Sequence, residues 1–159
     1  MDDSVTPLFP FGHGLSYTDF EYGNLKIEPR KVNAGGTLDI SLTIKNTGKV
    51  LGDEVVQFYV RDEYASMPRP VKELKGFTRV TLLPGEIKQI SFHFPVNQMA
   101  FYDVDHKLIL EPGTFKVMIG SSSATIRLED SFEVRGNAPV EIKERVFVCP
   151  VVIQAGDAL

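Results

Sequence analysis

Residues 37–46, TLDISLTIKN, set Leu38, Ile40, Leu42 and Ile44 on alternate positions with Asp39, Ser41, Thr43 and Lys45 between them. A period of two places the apolar set on one side of an extended strand and the polar set on the other, so one face is core and the other is wet. The rhythm returns in Val56, Phe58 and Val60 against Gln57, Tyr59 and Arg61, and in Ile90, Phe92 and Phe94 against Gln89, Ser91 and His93. Phe115, Val117 and Ile119 alternate with Lys116 and Met118, and Ile126, Leu128, Phe132 and Val134 continue it. No stretch of twelve residues carries a helical face. Such a chain is expected to be all-β, an antiparallel two-sheet sandwich of about seven to nine strands.

The runs are separated by turn signals: Asn33-Ala34-Gly35-Gly36, Asn46-Thr47-Gly48, Leu83-Pro84-Gly85-Glu86 and Glu111-Pro112-Gly113-Thr114. In the last two, Pro fixes φ and Gly supplies φ > 0, as a type II turn requires, which predicts sharp links between neighbouring strands. At 159 residues the chain is long enough for one domain, with roughly 70% of its unfolded surface buried on folding. Seventeen Lys and Arg against 21 Asp and Glu leave a net charge of -4, so nothing recruits nucleic acid or an anionic membrane surface. One cysteine, Cys149, and three scattered histidines exclude an internal disulfide and the usual zinc spacings. No run approaches the ~18–20 apolar residues of a membrane span, and MDDSVTPLFP is acidic where a secretory signal is basic and then apolar. The expectation is a soluble piece with no metal and no cofactor.

The ends differ from the middle. PLFPFGHGLSY, residues 7–17, is too irregular for a strand and too apolar for a free tail, so it should lie on another surface. After Arg135-Gly136-Asn137-Ala138-Pro139, residues 140–154 turn apolar again, as an added strand pair or as an interface between two copies of the chain.

The stretch PLFPFGHGLSYTDFEY resembles the segment leading into the C-terminal fibronectin type III-like domain of glycoside hydrolase family 3 enzymes, the β-glucosidases and β-xylosidases. The likeness continues in order through Asn46-Thr47-Gly48, GDEVVQFYVRD (52–62), RPVKELKGF (69–77), LPGE (83–86), AFYD (100–103), Glu111-Pro112-Gly113 and GSSS (120–123). It covers about residues 7–134; Asp105-His106 replaces an Asn-Gly-like hairpin tip, and residues 140–159 have no counterpart. The resemblance implies an immunoglobulin/fibronectin type III-like sandwich over residues 21–135. It makes residues 1–20 a linker docking on an upstream catalytic domain and leaves residues 136–159 as a C-terminal extension. In that family the nucleophilic Asp lies in an upstream (β/α)₈ barrel and the acid/base carboxylate also precedes this segment, so no catalytic residue carries over.

The residues agree with that last point. Glycoside hydrolysis needs two carboxyl groups converging on one bond. Asp53/Glu54, Asp62/Glu63 and Glu129/Asp130 are strand neighbours that point to opposite faces, and only Asp103/Asp105 share one, flanking a hairpin tip where acids are ordinary turn formers. In VKELKGF, Lys72, Glu73 and Lys75 read as a solvated edge, with Val71, Leu74 and Phe77 turned inward around a bulge. His93 and His106 read as surface residues. His13, between Gly12 and Gly14, suits close approach to another surface. Ser121-Ser122-Ser123 lacks a nucleophile elbow, and Gly12/Gly14 and Gly35/Gly36 lack a phosphate loop's context.

The expected function is a noncatalytic module bracing the catalytic domains of a β-glycosidase. Phe9, Phe11, His13, Leu15, Tyr17, Tyr64 and Arg69 are the docking or substrate-entrance candidates, the last two from the long loop 62–70. Two alternatives stand beside it. One is a polysaccharide-binding module stacking sugars on outward tyrosines such as Tyr59, Tyr64 and Tyr102, weakened by the lack of Trp. The other is a homodimer formed through residues 140–154. The parent enzyme is expected to be extracellular or periplasmic, although cytoplasmic members of the family exist.

Overall fold

The computed structural model describes residues 7–156; residues 1–6 of the expected linker and 157–159 of the extension lie outside the described residues. The described residues are all-β, with one 3-10 turn at Val96–Met99. Seven strands run eight to eleven residues: β1 (Phe20–Glu28), β3 (Thr37–Asn46), β4 (Gly52–Asp62), β5 (Glu73–Leu82), β6 (Ile87–Pro95), β9 (Gly113–Gly120) and β10 (Ile126–Arg135). Five shorter strands complete it: β2 (Lys31–Asn33), β7 (Phe101–Tyr102), β8 (Leu108–Leu110), β11 (Val140–Glu141) and β12 (Val151–Ala155).

A four-stranded sheet, β1-β3-β6-β12, packs on a five-stranded one, β2-β10-β9-β4-β5. Phe58 of the second sheet meets Phe92 and Phe94 of the first at 5.4 and 5.1 Å between ring centroids, the latter edge-on. Phe94 reaches Phe132 at 6.1 Å, and Phe132 stacks on Phe115 at 5.3 Å. Each such pair contributes about 0.5–1.5 kcal/mol beyond area burial. Leu38, Ile40, Leu42 and Ile44 are buried, as the alternation in β3 requires.

Asn46 ends β3 fully buried, its side chain making four hydrogen bonds. Its Nδ2 donates to the carbonyls of Val50 (2.8 Å) and Leu82 (3.0 Å), and its Oδ1 accepts from Thr18 Oγ1 (2.6 Å) and the Gly48 N–H (3.0 Å). Gly48 has no room for a side chain, because a Cβ would stand 2.1 Å from Thr18 Oγ1. The Asn46-Thr47-Gly48 motif is therefore a structural knot joining the N-terminal segment, β3 and β5.

Four expectations are corrected. The sheets are not wholly antiparallel, since β2 runs parallel to β10, and a third sheet, β11-β8-β7, lies beside the two large ones. Leu83-Pro84-Gly85-Glu86 is a tight turn, with Gly85 at φ 77° and the Glu86 N–H donating to the Leu83 carbonyl at 3.0 Å, but it joins β5 of the five-stranded sheet to β6 of the four-stranded one rather than two neighbouring strands. Glu111-Pro112-Gly113 is not a link between neighbouring strands; it carries the chain from β8 in the small sheet to β9 in the five-stranded one. In β5 and just before it the predicted inside and outside are reversed: Lys75 is buried and Glu73 largely so, while Phe77 and the preceding Val71 face solvent. A bulge explains this. Phe58 pairs with Gly76 but Tyr59 with Leu74, so Lys75 is the extra residue and changes sides. Gly76 permits it, since a Cβ there would lie 3.0 Å from the Phe92 ring.

Residues 140–154 form added strands rather than free ones. β11 pairs with β8, and β12 lies antiparallel on β6, with Ile153 opposite Ile90. Between them Cys149 sits half-buried, its Sγ 3.6 Å from the His93 carbonyl, and burial pushes its thiol up to about 12. No helix among the described residues is long and apolar enough to cross a membrane.

Candidate docking surface

The outer face of the five-stranded sheet is covered at its centre. Gln57 and Tyr59 point outward on β4, as their alternation predicts, yet are only 3% and 2% exposed. Three segments close over them: the N-terminal segment, the Ser121-Ser122-Ser123 turn and Lys72. Tyr59 Oη donates to Gln57 Oε1 at 2.5 Å, and Gln57 Nε2 donates to the Ser121 carbonyl (2.5 Å) and the Gly12 carbonyl (3.4 Å). Lys72 Nζ lies 6.0 Å from the Tyr59 ring centre and donates to the Ser123 carbonyl at 2.5 Å. The Ser123 N–H donates in turn to the Phe11 carbonyl at 2.8 Å.

The N-terminal segment is pinned at both ends. Phe11 and Gly12 are held by Ser123 and Gln57. Thr18 is bonded to Asn46, and the Asp19 carbonyl accepts the Thr47 N–H at 2.9 Å. A turn between Pro10 and His13 (N···O 3.0 Å) lets the chain dip onto Gln57 at Gly12, whose φ of 78° favours glycine and where a Cβ would come 2.3 Å from Gln57 Oε1. Between the pins the segment bridges a cleft of about 480 Å³ lined by His13, Leu15, Ser16, Asp53, Glu54 and Arg127.

The backbone is therefore fixed while the large side chains face away. Leu8, Phe9, Phe11, Leu15 and Tyr17 are all exposed, Leu15 at 94%. The Phe9 and His13 rings lie 5.2 Å apart, so His13 belongs to this apolar strip. Burial pushes Glu54 up in the cleft, where its Oε1 accepts the Val55 N–H at 2.8 Å. Asp53 is held down by Thr81 Oγ1 (2.5 Å) and then by Arg79, each of which it bonds.

The other two candidates part company. Tyr64 is 87% exposed on its loop, whereas Arg69 is bound inside the fold. Its guanidinium donates to the Met99 carbonyl (3.1 Å) and to Glu73 Oε1 (2.6 Å) and stacks 4.7 Å from the Phe101 ring centre. Glu73 also takes Lys75 at 3.0 Å and has Arg145 at 3.8 Å. Burial pushes Glu73 up, but the bond and charge of Lys75 together with Arg69 outweigh it and hold the carboxyl below the usual range. Burial pushes Lys75 down. Of this charge cluster only Arg69 was among the site residues read from the sequence, Gln57 was not, and Tyr59, expected as an outward ring for stacking sugars, is instead buried.

Asp103 and Asp105, the one carboxylate pair expected on a shared face, sit at the hairpin tip between β7 and β8. Asp103 Oδ1 accepts the N–H groups of Asp105 and Lys107, both at 2.9 Å, as a hairpin-tip residue does. No three His, Cys, Asp or Glu side chains converge as metal ligands among the described residues.

A model of the fibronectin type III-like domain matches residues 54–123, from β4 through the Ser121-Ser122-Ser123 turn that holds the N-terminal segment. Residues 54–123 belong to this family. As the ordered motifs indicated, the chain's relatives are family 3 glycoside hydrolases. A β-xylosidase of Formosa agariphila is 53% identical over 118 residues, covering 74% of this chain and 16% of that protein. A periplasmic β-glucosidase of Salmonella typhimurium is 42% identical over 134 residues, covering 84% of this chain and 17% of its own length. The crystal structure of a β-glucosidase from Listeria innocua in complex with glucose superposes with a TM-score of 0.80 at 38% identity, over 87% of this fibronectin type III-like chain and 19% of that one. The chain thus spans about a fifth or less of the length of the relatives it matches.

Proposed function

We propose that this fibronectin type III-like chain is a noncatalytic brace for the catalytic domains of a β-glycosidase, docked through its N-terminal segment. The observation that carries the reading is the contrast within residues 7–17. The backbone is fixed at Phe11 and Gly12 by Gln57 and Ser123, while Phe9, Phe11, Leu15 and Tyr17 are held out to solvent. An apolar strip whose backbone is already ordered loses little further entropy when another surface covers it, which is the economy of a preorganised interface. Residues 1–20 act as the docking linker, residues 21–135 as the sandwich, and residues 136–159 as an extension that adds strands to it. Tyr64 and His13 stand toward substrate access. The parent enzyme works outside the cytoplasm, as the name of the Salmonella relative states for that protein.

Hydrogen exchange tests the docking. Amides of residues 8–17 are expected to exchange more slowly within the complete enzyme than in the 159-residue chain, while β3 and β6 stay unchanged. Equal exchange of residues 8–17 in both would sink the docking.

A further inference from the structure

We infer that the outer face of the five-stranded sheet carries a second site, a shallow saccharide-binding groove walled by Tyr64 and floored by Arg61, Lys116, Glu129 and Ser131. The strand register builds the floor. Arg61 of β4 lies opposite Lys116 of β9, and Lys116 lies opposite Ser131 of β10, so three side chains form one row across three adjacent strands. Lys116 Nζ is 2.6 Å from Glu129 Oε2 in the next position. The groove measures about 540 Å³, within the roughly 300–1,000 Å³ of small-molecule sites.

The wall is fixed in place. The Glu63 N–H donates to the Thr114 carbonyl (3.2 Å), the Tyr64 N–H to Asp62 Oδ1 (3.2 Å) and the Ser66 N–H to Glu111 Oε2 (3.0 Å). With Arg69 bound beyond them, the loop is pinned on both sides of an aromatic ring that is itself 87% exposed. A loop ordered in this way around an uncovered ring is preorganised for a planar contact.

Charge decides the ligand class. Arg61 and Lys116 are balanced by Glu63 and Glu129, and Asp130 is neutralised by the two-pronged bond from Arg30 (2.8 and 2.6 Å). A groove with no net charge attracts neither a polyanion nor a polycation. It offers charged donors and charged acceptors side by side, the complement of hydroxyl groups, which both donate and accept. Beside them the Tyr64 ring offers its negative face to the C–H groups of a sugar ring. A neutral, polyhydroxylated ring satisfies all three features. The inference does not rest on the docking reading, because the groove shares no lining residue with the cleft under the N-terminal segment.

The test is amide NMR of the 159-residue chain titrated with xylotetraose and, separately, cellotetraose and inorganic phosphate. Saturable shifts at Arg61, Tyr64, Lys116 and Ser131 are expected with at least one sugar and none with phosphate. Tyr64→Ala, at an exposed position that leaves the fold intact, should weaken binding about fivefold to tenfold, and Tyr64→Phe should restore it. The site is overturned by absence of saturable shifts with both sugars, by equal affinity of Tyr64→Ala, or by binding of phosphate in place of sugar.

Discussion

Gln57 holds Gly12: the side-chain amide of a sheet residue donates to the backbone of the N-terminal segment at 3.4 Å, while its oxygen accepts the Tyr59 hydroxyl at 2.5 Å. Through this pair the outward row of β4 becomes a support for the chain that precedes the sandwich.

Gln57→Ala should therefore release the segment and leave the Tyr59 hydroxyl and the Ser121 carbonyl unpaired. The expected cost is about 2–4 kcal/mol in urea unfolding. Gly12→Ala should loosen the segment alone, costing about 1–2 kcal/mol, because φ of 78° and the approach of Gln57 Oε1 both reject a methyl group. Proteolytic cleavage near residue 12 is the readout, and resistance equal to the parent chain's in both variants would contradict the anchor.

Glu73 is the partner that makes Lys75 tolerable inside the bulge, and it serves Arg69 as well. Glu73→Gln leaves two buried cations without a counter-charge and should cost about 3–5 kcal/mol at neutral pH. Because the folded carboxyl lies below its ordinary range, its stabilisation is complete above about pH 4.3 and is lost as pH falls through the folded value. The acid limb of a stability-against-pH curve should be shallower in Glu73→Gln than in the parent chain. An identical limb would show that Glu73 does not carry this linkage.

Much of this was legible in the alternation. β3, β6 and β9 place their apolar residues in the core as a period of two requires, and the Pro-Gly pair of residues 84–85 makes the turn its chemistry predicts. What was not legible came from additional layers. Gln57 and Tyr59 are polar and outward in pattern, but a covering segment from forty-five residues away buries them, and no local periodicity records that. The reversal in β5 hinges on one extra residue, since a bulge at Lys75 shifts every side chain beyond it to the other face. A charged residue beside a glycine, Lys75-Gly76, was the available signal, and it reads equally well as a solvated edge. The extension was apolar enough to predict strands, but which edge it would take, β8 and β6, is a tertiary property.

The exposed apolar strip is proposed as one half of an interface. Phe9→Ala with Phe11→Ala, introduced together into the complete enzyme and into the 159-residue chain, tests it by thermal unfolding. The complete enzyme should melt several degrees lower, and the isolated chain, in which both rings are largely exposed already, should melt unchanged. Unchanged melting of the complete enzyme would contradict it.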